Sequence, residues 1–200
     1  MLSGQKRTNE LSMLRAILLS SSLILTTSVL AEGEQLLAAV PQAWIVISTK
    51  HYASMRLVEL VPPDSSSSNW AEKLGIESFN TLPLPDPIQF MDTMEQSFQR
   101  SCTKSESQVT FSGHENNYPT SVRLFNCNKD KLTQMHKIVL VKAIQGTENF
   151  YVVSREMRLG AQQKDLSGDV IQQTIARWSS YLATISVCDT NNPQHPCPGK

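Results

Sequence analysis

Apolar positions are densest over residues 137–158, KIVLVKAIQGTENFYVVSREMR. Two β-branched runs, 138–144 and 150–153, flank a polar link at 145–149 that contains Gly146, the composition of a β-hairpin with a loop longer than two residues. Ile138-Val139-Leu140-Val141 does not alternate, so both faces of that strand are covered and it belongs near the middle of a sheet.

The flanking patterns supply further elements. Residues 44–48, WIVIS, and 55–61, MRLVELV, read as strands around a polar turn at 50–54, and Pro62-Pro63 ends the second because proline has no donor for a ladder. Residues 70–79 alternate as a strand, with Trp70 tucked against the sheet at its start. Asp86 caps a helix with Pro87 at its first position and Gln89 placed for a capping box. Met91, Met94, Phe98 and Cys102 then fall on one face, a stripe read as core packing. Strands follow at 107–113 and 120–127, joined by 114–119, and 128–136 is a polar link. After a loop at 159–168, Asp169 caps a second helix whose stripe is Ile171, Ile175, Trp178, Leu182 and Ile185, with Cys188 at its end. Residues 36–40 suit one helical turn. Short links between successive strands favour antiparallel pairing. The fold class expected is α+β, an antiparallel sheet with two amphipathic helices packed on it.

The first part of the chain reads differently. Lys6, Arg7 and Arg15 precede 16–30, an uncharged run rich in Leu, Ser and Thr, and Val29-Leu30-Ala31 ends in small residues at the positions a signal peptidase inspects. Residues 1–31 are therefore expected to be a signal peptide, 32–187 a single domain, and 188–200 a disulfide-closed tail. The apolar run is short for a membrane span, so no stable membrane insertion is expected after cleavage, and the localisation implied is periplasmic or secreted.

The 200-residue chain balances 18 basic against 18 acidic residues. Loss of 1–31 leaves a slight acidic excess, which argues against a nucleic-acid partner. Export permits disulfides, and four cysteines allow three pairings. Cys102 with Cys127 is preferred because it staples a helix end to a strand end, and Cys188 with Cys197 because it closes an Asn- and Pro-rich tail. The rival is metal binding, but no two cysteines have C-x-x-C spacing.

No catalytic motif is present. His51, His114, His136 and His195 share no metal-ligand spacing, and Tyr118 stands where a zinc-protease signature starting at His114-Glu115 needs its second histidine. No serine sits in G-x-S-x-G and no glycine-rich loop precedes a lysine. No metal and no cofactor are expected, and no catalytic residue is assigned. The most unusual polar stretch is 113–120, GHENNYPT, whose His114, Glu115, Asn116, Asn117 and Tyr118 are the candidate binding residues. The plainer reading of the same stretch is a wide turn in which Gly, Asn and Pro serve backbone geometry.

Three blocks carry a resemblance: Asn69-Trp70-x-Glu72, Glu115-Asn116-x-Tyr118-Pro119-Thr120, and Lys142-Ala143-Ile144-Gln145-Gly146 followed by Tyr151-Val152-Val153. They resemble a group of small exported bacterial proteins of unassigned activity, over about residues 43–188. The layout of elements is also similar to the PsbP/Mog1-like α/β sandwich. Function does not follow from fold. The reading is an exported, non-catalytic binding or accessory protein with a protein or small-molecule partner. The alternatives are a small secreted hydrolase whose site assembles only in three dimensions, and a secreted effector.

Overall fold

The computed structural model describes residues 33–160 and 168–198. The hairpin expected at 137–158 lies in the middle of the sheet. β7 (His136–Gln145) pairs antiparallel with β8 (Phe150–Leu159) from His136↔Leu159 to Gln145↔Phe150. Outward on one side lie β6 (Tyr118–Cys127) and β5 (Ser105–Glu115). On the other side come β4 (Glu72–Phe79), β3 (Met55–Val61) and β2 (Ile45–Tyr52). The sheet therefore has seven strands in the order β2-β3-β4-β8-β7-β6-β5, every neighbouring pair antiparallel.

Helix α1 (Pro87–Ser101) packs on one face and α2 (Gly168–Ala183) on the other. Val139, Val141 and Ala143 of β7 join Phe125, Phe150 and Val152 beneath Met91 and Phe98 of α1. Ile138 and Leu140 join Leu74, Val153 and Met157 beneath Trp178 and Leu182 of α2. This is why residues 138–141 carry no polar position: both faces of β7 are sealed. The fold is α+β, an antiparallel sheet with two amphipathic helices packed on it, as the pattern predicts.

Asp86 caps α1, its Oδ1 accepting from the Ile88 and Gln89 amides at 2.9 and 3.0 Å. Cys102, one residue past the helix, lies at disulfide distance from Cys127 at the end of β6, with Cα atoms 5.6 Å apart. Cys188 and Cys197 form the second pair, with Cα atoms 4.9 Å apart.

Several boundaries differ from the sequence reading. β2 continues through the expected turn to Tyr52, leaving only Ala53 and Ser54 to reverse the chain. The expected link at 114–119 shrinks to Asn116-Asn117, both with positive φ (47° and 64°), the two-residue turn that matches strand twist. Asparagine tolerates that conformation, and its polarity hid the strand ends on either side.

The helical turn expected at 36–40 is instead β1 (Glu34–Leu37), paired with β9 (Ser186–Asp189). Its partner lies some 150 residues away, so no local pattern announces it. Asp169 lies within the first turn of α2, and the segment expected to precede the cap, 161–167, falls outside the described residues. The helix ends at Ala183; Ile185 and Val187 stay buried as the chain enters β9, so Cys188 belongs to a strand and not to a helix end. The expected signal peptide, 1–31, lies outside the described residues. Among the described residues no helix is long and apolar enough to cross a membrane.

Candidate functional site

The candidate loop is built into the molecule's own packing. Glu115, the last residue of β5, accepts from the Nζ of Lys142. Asn116 donates through Nδ2 to the carbonyls of Val187 (2.9 Å) and Pro196 (3.2 Å), and Asn117 through Nδ2 to Gln194 (2.7 Å). Tyr118 is buried and stacks on the His195 ring at 3.9 Å between centroids. The His195 Nδ1 lies 2.8 Å from the Asn116 carbonyl. Burial, with the charge of Glu34 behind it, pushes the Tyr118 phenol up to about 12. His114 and Asn117 are exposed, and of the two only Asn117 has its side chain bonded to the tail. The stretch brings Asn116, Asn117 and Tyr118 together, but around the disulfide-closed C-terminal tail, as a latch within the chain.

Lys142 opens one of the resemblance blocks but is given no role by sequence, and it is the most deeply buried cation among the described residues, 1% exposed. Its Nζ donates to the carbonyls of Leu182 (2.9 Å) and Ile185 (2.6 Å) as well as to Glu115. Three donors meet three acceptors, so the ammonium closes the C-terminal end of α2. Arg155 is enclosed in a similar way, over Trp44 (4.4 Å), Tyr181 (5.2 Å) and Trp178 (5.7 Å), and paired with Glu72. Both cations serve the fold.

One open concavity lies beside α1. Three anchors hold that helix over β5, β6 and β7. Arg123 of β6 bonds Asp92 at 2.8 Å and Glu95 at 2.9 Å, Phe98 stacks on Phe125 at 4.8 Å, and Cys102 is joined to Cys127. The helix therefore leaves β3 and β4 uncovered on its own face. The result is a groove of about 370 Å³ between the helix flank (Phe90, Met94, Phe98) and the strands.

The strand register gives the floor of the groove. Leu57 of β3 pairs with Glu77 of β4, which pairs with Val152 of β8; in the next row Glu59 pairs with Gly75, which pairs with Ser154. A Cβ on Gly75 would stand 2.7 Å from the Ser154 Oγ, so a larger residue there would need that side chain to turn away. One row further, Lys73 pairs with Glu156 across the ladder, and its Nζ lies 2.7 Å from Glu59 and 3.4 Å from Glu156. Glu77 has no such bond to Lys73. Burial, and next the charge of Glu59, hold its carboxyl above the usual carboxylate range. Glu59 is itself partly buried, which alone would raise it, but the hydrogen bond and charge of Lys73 hold it below that range. A groove with an apolar helix wall and a half-buried carboxyl that has no ion pair among the described residues is the arrangement expected of a binding site.

A second, more polar concavity of about 460 Å³ lies at the β2–β3 turn, lined by His51, Tyr52, Arg56, Asn80, Asn149 and Tyr151. Glu34 forms part of its wall but is occupied. Its carboxylate accepts from the Thr147 Oγ1 (2.6 Å), the Asn149 amide (3.1 Å) and the Tyr151 hydroxyl (3.1 Å), clamping the β7–β8 loop. Burial alone would raise this carboxyl, yet the bonds from Thr147 and its neighbours bring it below the usual range. The approach is so close that a Cβ on Gly146 would lie 2.3 Å from the Glu34 Oε1. Among the described residues, no three His, Cys, Asp or Glu side chains converge as a metal site would need.

No family model matches the sequence, and no curated protein matches it. The fold does have solved counterparts. The Saccharomyces cerevisiae Ran-binding protein Mog1p superposes with a TM-score of 0.51 at 12% identity, over 80% of this chain and 98% of that one. A mutant of protein Mog1 gives 0.50 at 12% identity, over 78% and 92%. At that identity the likeness is one of fold, so this chain has a Mog1-like α+β fold.

Proposed function

We propose that this chain is an exported, non-catalytic binding or accessory protein that docks a partner protein in the groove between α1 and β3–β4. One observation carries the reading. α1 is fixed off-centre by Arg123, Phe125 and the Cys102–Cys127 pair, which leaves an apolar-walled sheet face open and a carboxyl unpaired within it. The neighbouring carboxylates Glu59 and Glu156 share Lys73, and Glu34 accepts from several donors. Among the described residues Glu77 makes no hydrogen bond or ion pair of its own, and a half-buried carboxyl of that kind in a groove is where a function is sought. The fold is shared with a protein described as Ran-binding, so a protein partner suits it. Export rests on the signal-peptide pattern of residues 1–31 and agrees with two cysteine pairs at disulfide distance.

The test is affinity capture from the host's own periplasm and medium, using wild type and Met94→Glu, whose new carboxylate sits in the groove wall. A stoichiometric protein held by wild type and lost by the variant is the expected outcome. A partner held equally by both refutes the groove as the docking place. The competing reading, a small hydrolase, would use the polar concavity at His51 and Tyr52. Turnover of a model ester or glycan that His51→Ala abolishes would favour it over the binding role.

A further inference from the structure

We infer that the segment docking in this groove is an extended polypeptide that carries a lysine or arginine between apolar residues, with the cation seated on Glu77. The inference rests on the groove being a docking surface and adds what docks there. Phe90, Met94 and Phe98 are spaced one helical turn apart, so they wall the groove over roughly 12 Å. At about 3.3 Å per residue, an extended segment of about four residues fits that length. Leu57, Phe79, Phe90 and Met94 give it apolar contacts around the Glu77 carboxyl.

Charge decides what lies at the centre. The ionisable groups of the groove are Glu59, Lys73, Glu77, Lys137 and Glu156, with Lys50 of β2 in the Glu77 row beyond Leu57 and exposed. Lys73 is shared between Glu59 and Glu156. Lys137 lies over the Phe98 ring at 4.8 Å and 3.8 Å from Asp130. Glu77 feels Glu59, which raises its carboxyl, more than Lys73, which lowers it, and among the described residues it forms no ion pair of its own. Any partner covering the groove takes away the water that still reaches this carboxylate. A neutral or acidic segment leaves it buried and unpaired, a strongly unfavourable state, whereas a cation offsets the lost hydration. Protonation of Glu77 competes with the cation, so the cationic segment binds more tightly as pH rises through the elevated range of this carboxyl.

The experiment is selection of phage-displayed random dodecapeptides on the immobilised full chain at pH 7.5. Selected clones are then measured on Met94→Glu and on Glu77→Gln, each shown to be folded by circular dichroism. Met94→Ala takes the first role if Met94→Glu does not fold. Clones with a Lys or Arg flanked by apolar residues are expected, lost on Met94→Glu, weakened at least tenfold on Glu77→Gln, and weaker at pH 4.5 than at pH 7.5. Clones lost on Met94→Glu that share no cation, or that bind Glu77→Gln as well as wild type, overturn the cationic segment and leave the docking surface standing. No enrichment, or enriched clones indifferent to the Met94 variants, overturns both.

Discussion

Replacing Lys142 by methionine removes one ammonium and tests how α2 is held to the sheet. The stem of the side chain is kept, so packing against β6 and β8 changes little, but three hydrogen bonds go. The carbonyls of Leu182 and Ile185 lose their donor, and Glu115 keeps a carboxylate with no counter-charge. Removing one partner of a buried pair costs about 3–5 kcal/mol. The Glu115 side chain is 29% exposed, so water screens part of its orphaned charge and the lower end, about 3 kcal/mol, is expected. In a domain of this size each kcal/mol moves the midpoint by roughly 2–4 °C, which gives a fall of about 6–12 °C in thermal unfolding followed by circular dichroism. Adding Glu115→Gln should recover part of the loss, because it removes the unpaired charge; the two substitutions should be non-additive by about 1 kcal/mol or more. A Lys142→Met protein that melts within about 2 °C of wild type would show that the ammonium does not hold the end of α2.

Glu77→Gln should raise the melting temperature at pH 7. A carboxyl raised in the folded state contributes stability that is present below its unfolded value and lost as pH rises through the folded one, so the charged form is the unfavourable one at neutrality. The gain should shrink below the ordinary value of 4.5, and equal melting of the two proteins at pH 7 contradicts this. Trp178 is 1% exposed and donates to Glu72 at 2.6 Å; Trp178→Ala should cost about 3–5 kcal/mol in denaturant unfolding, and an unchanged midpoint would place the stripe away from the core. Cys102→Ser with Cys127→Ser opens a loop closed across 25 residues and should cost about 3 kcal/mol, with a non-reduced digest of wild type showing the two half-cystines in one fragment pair. Reduction of Cys188–Cys197 should speed amide exchange in the tail that Asn116 and Asn117 hold, while the core of the sheet stays protected.

The sequence was legible where burial is one- or two-sided over a long run. Residues 138–141 announced a central strand because both faces are sealed, and Met91, Met94 and Phe98 announced the helix because a single face is. Edges were harder to read. β5 is an edge strand with Ser, Glu, Gln and His along it, so its ends looked like loop, and β1 finds its partner only across most of the chain. The site was less legible still. The stretch 114–118 stood out because its residues are polar and varied, and two of them, Asn116 and Asn117, bond the backbone of β9 and the tail. Glu77 stood out in no motif, because what distinguishes it is a missing partner. Whether Lys73 bonds Glu59, Glu77 or Glu156 is set by strand register and by where α1 is pinned, and no local pattern records either. A carboxylate that alternates onto the same strand face as Gly75 and Phe79 was the one signal available.

The most direct test of the docking surface is site-specific photocrosslinking in the host, with benzoylphenylalanine placed at Met94 in the groove wall or at Leu132, an exposed position outside the groove. A discrete crosslinked protein is expected from position 94 and none from position 132. A partner captured from 132 and not from 94 would place recognition elsewhere on the molecule and refute docking in the groove.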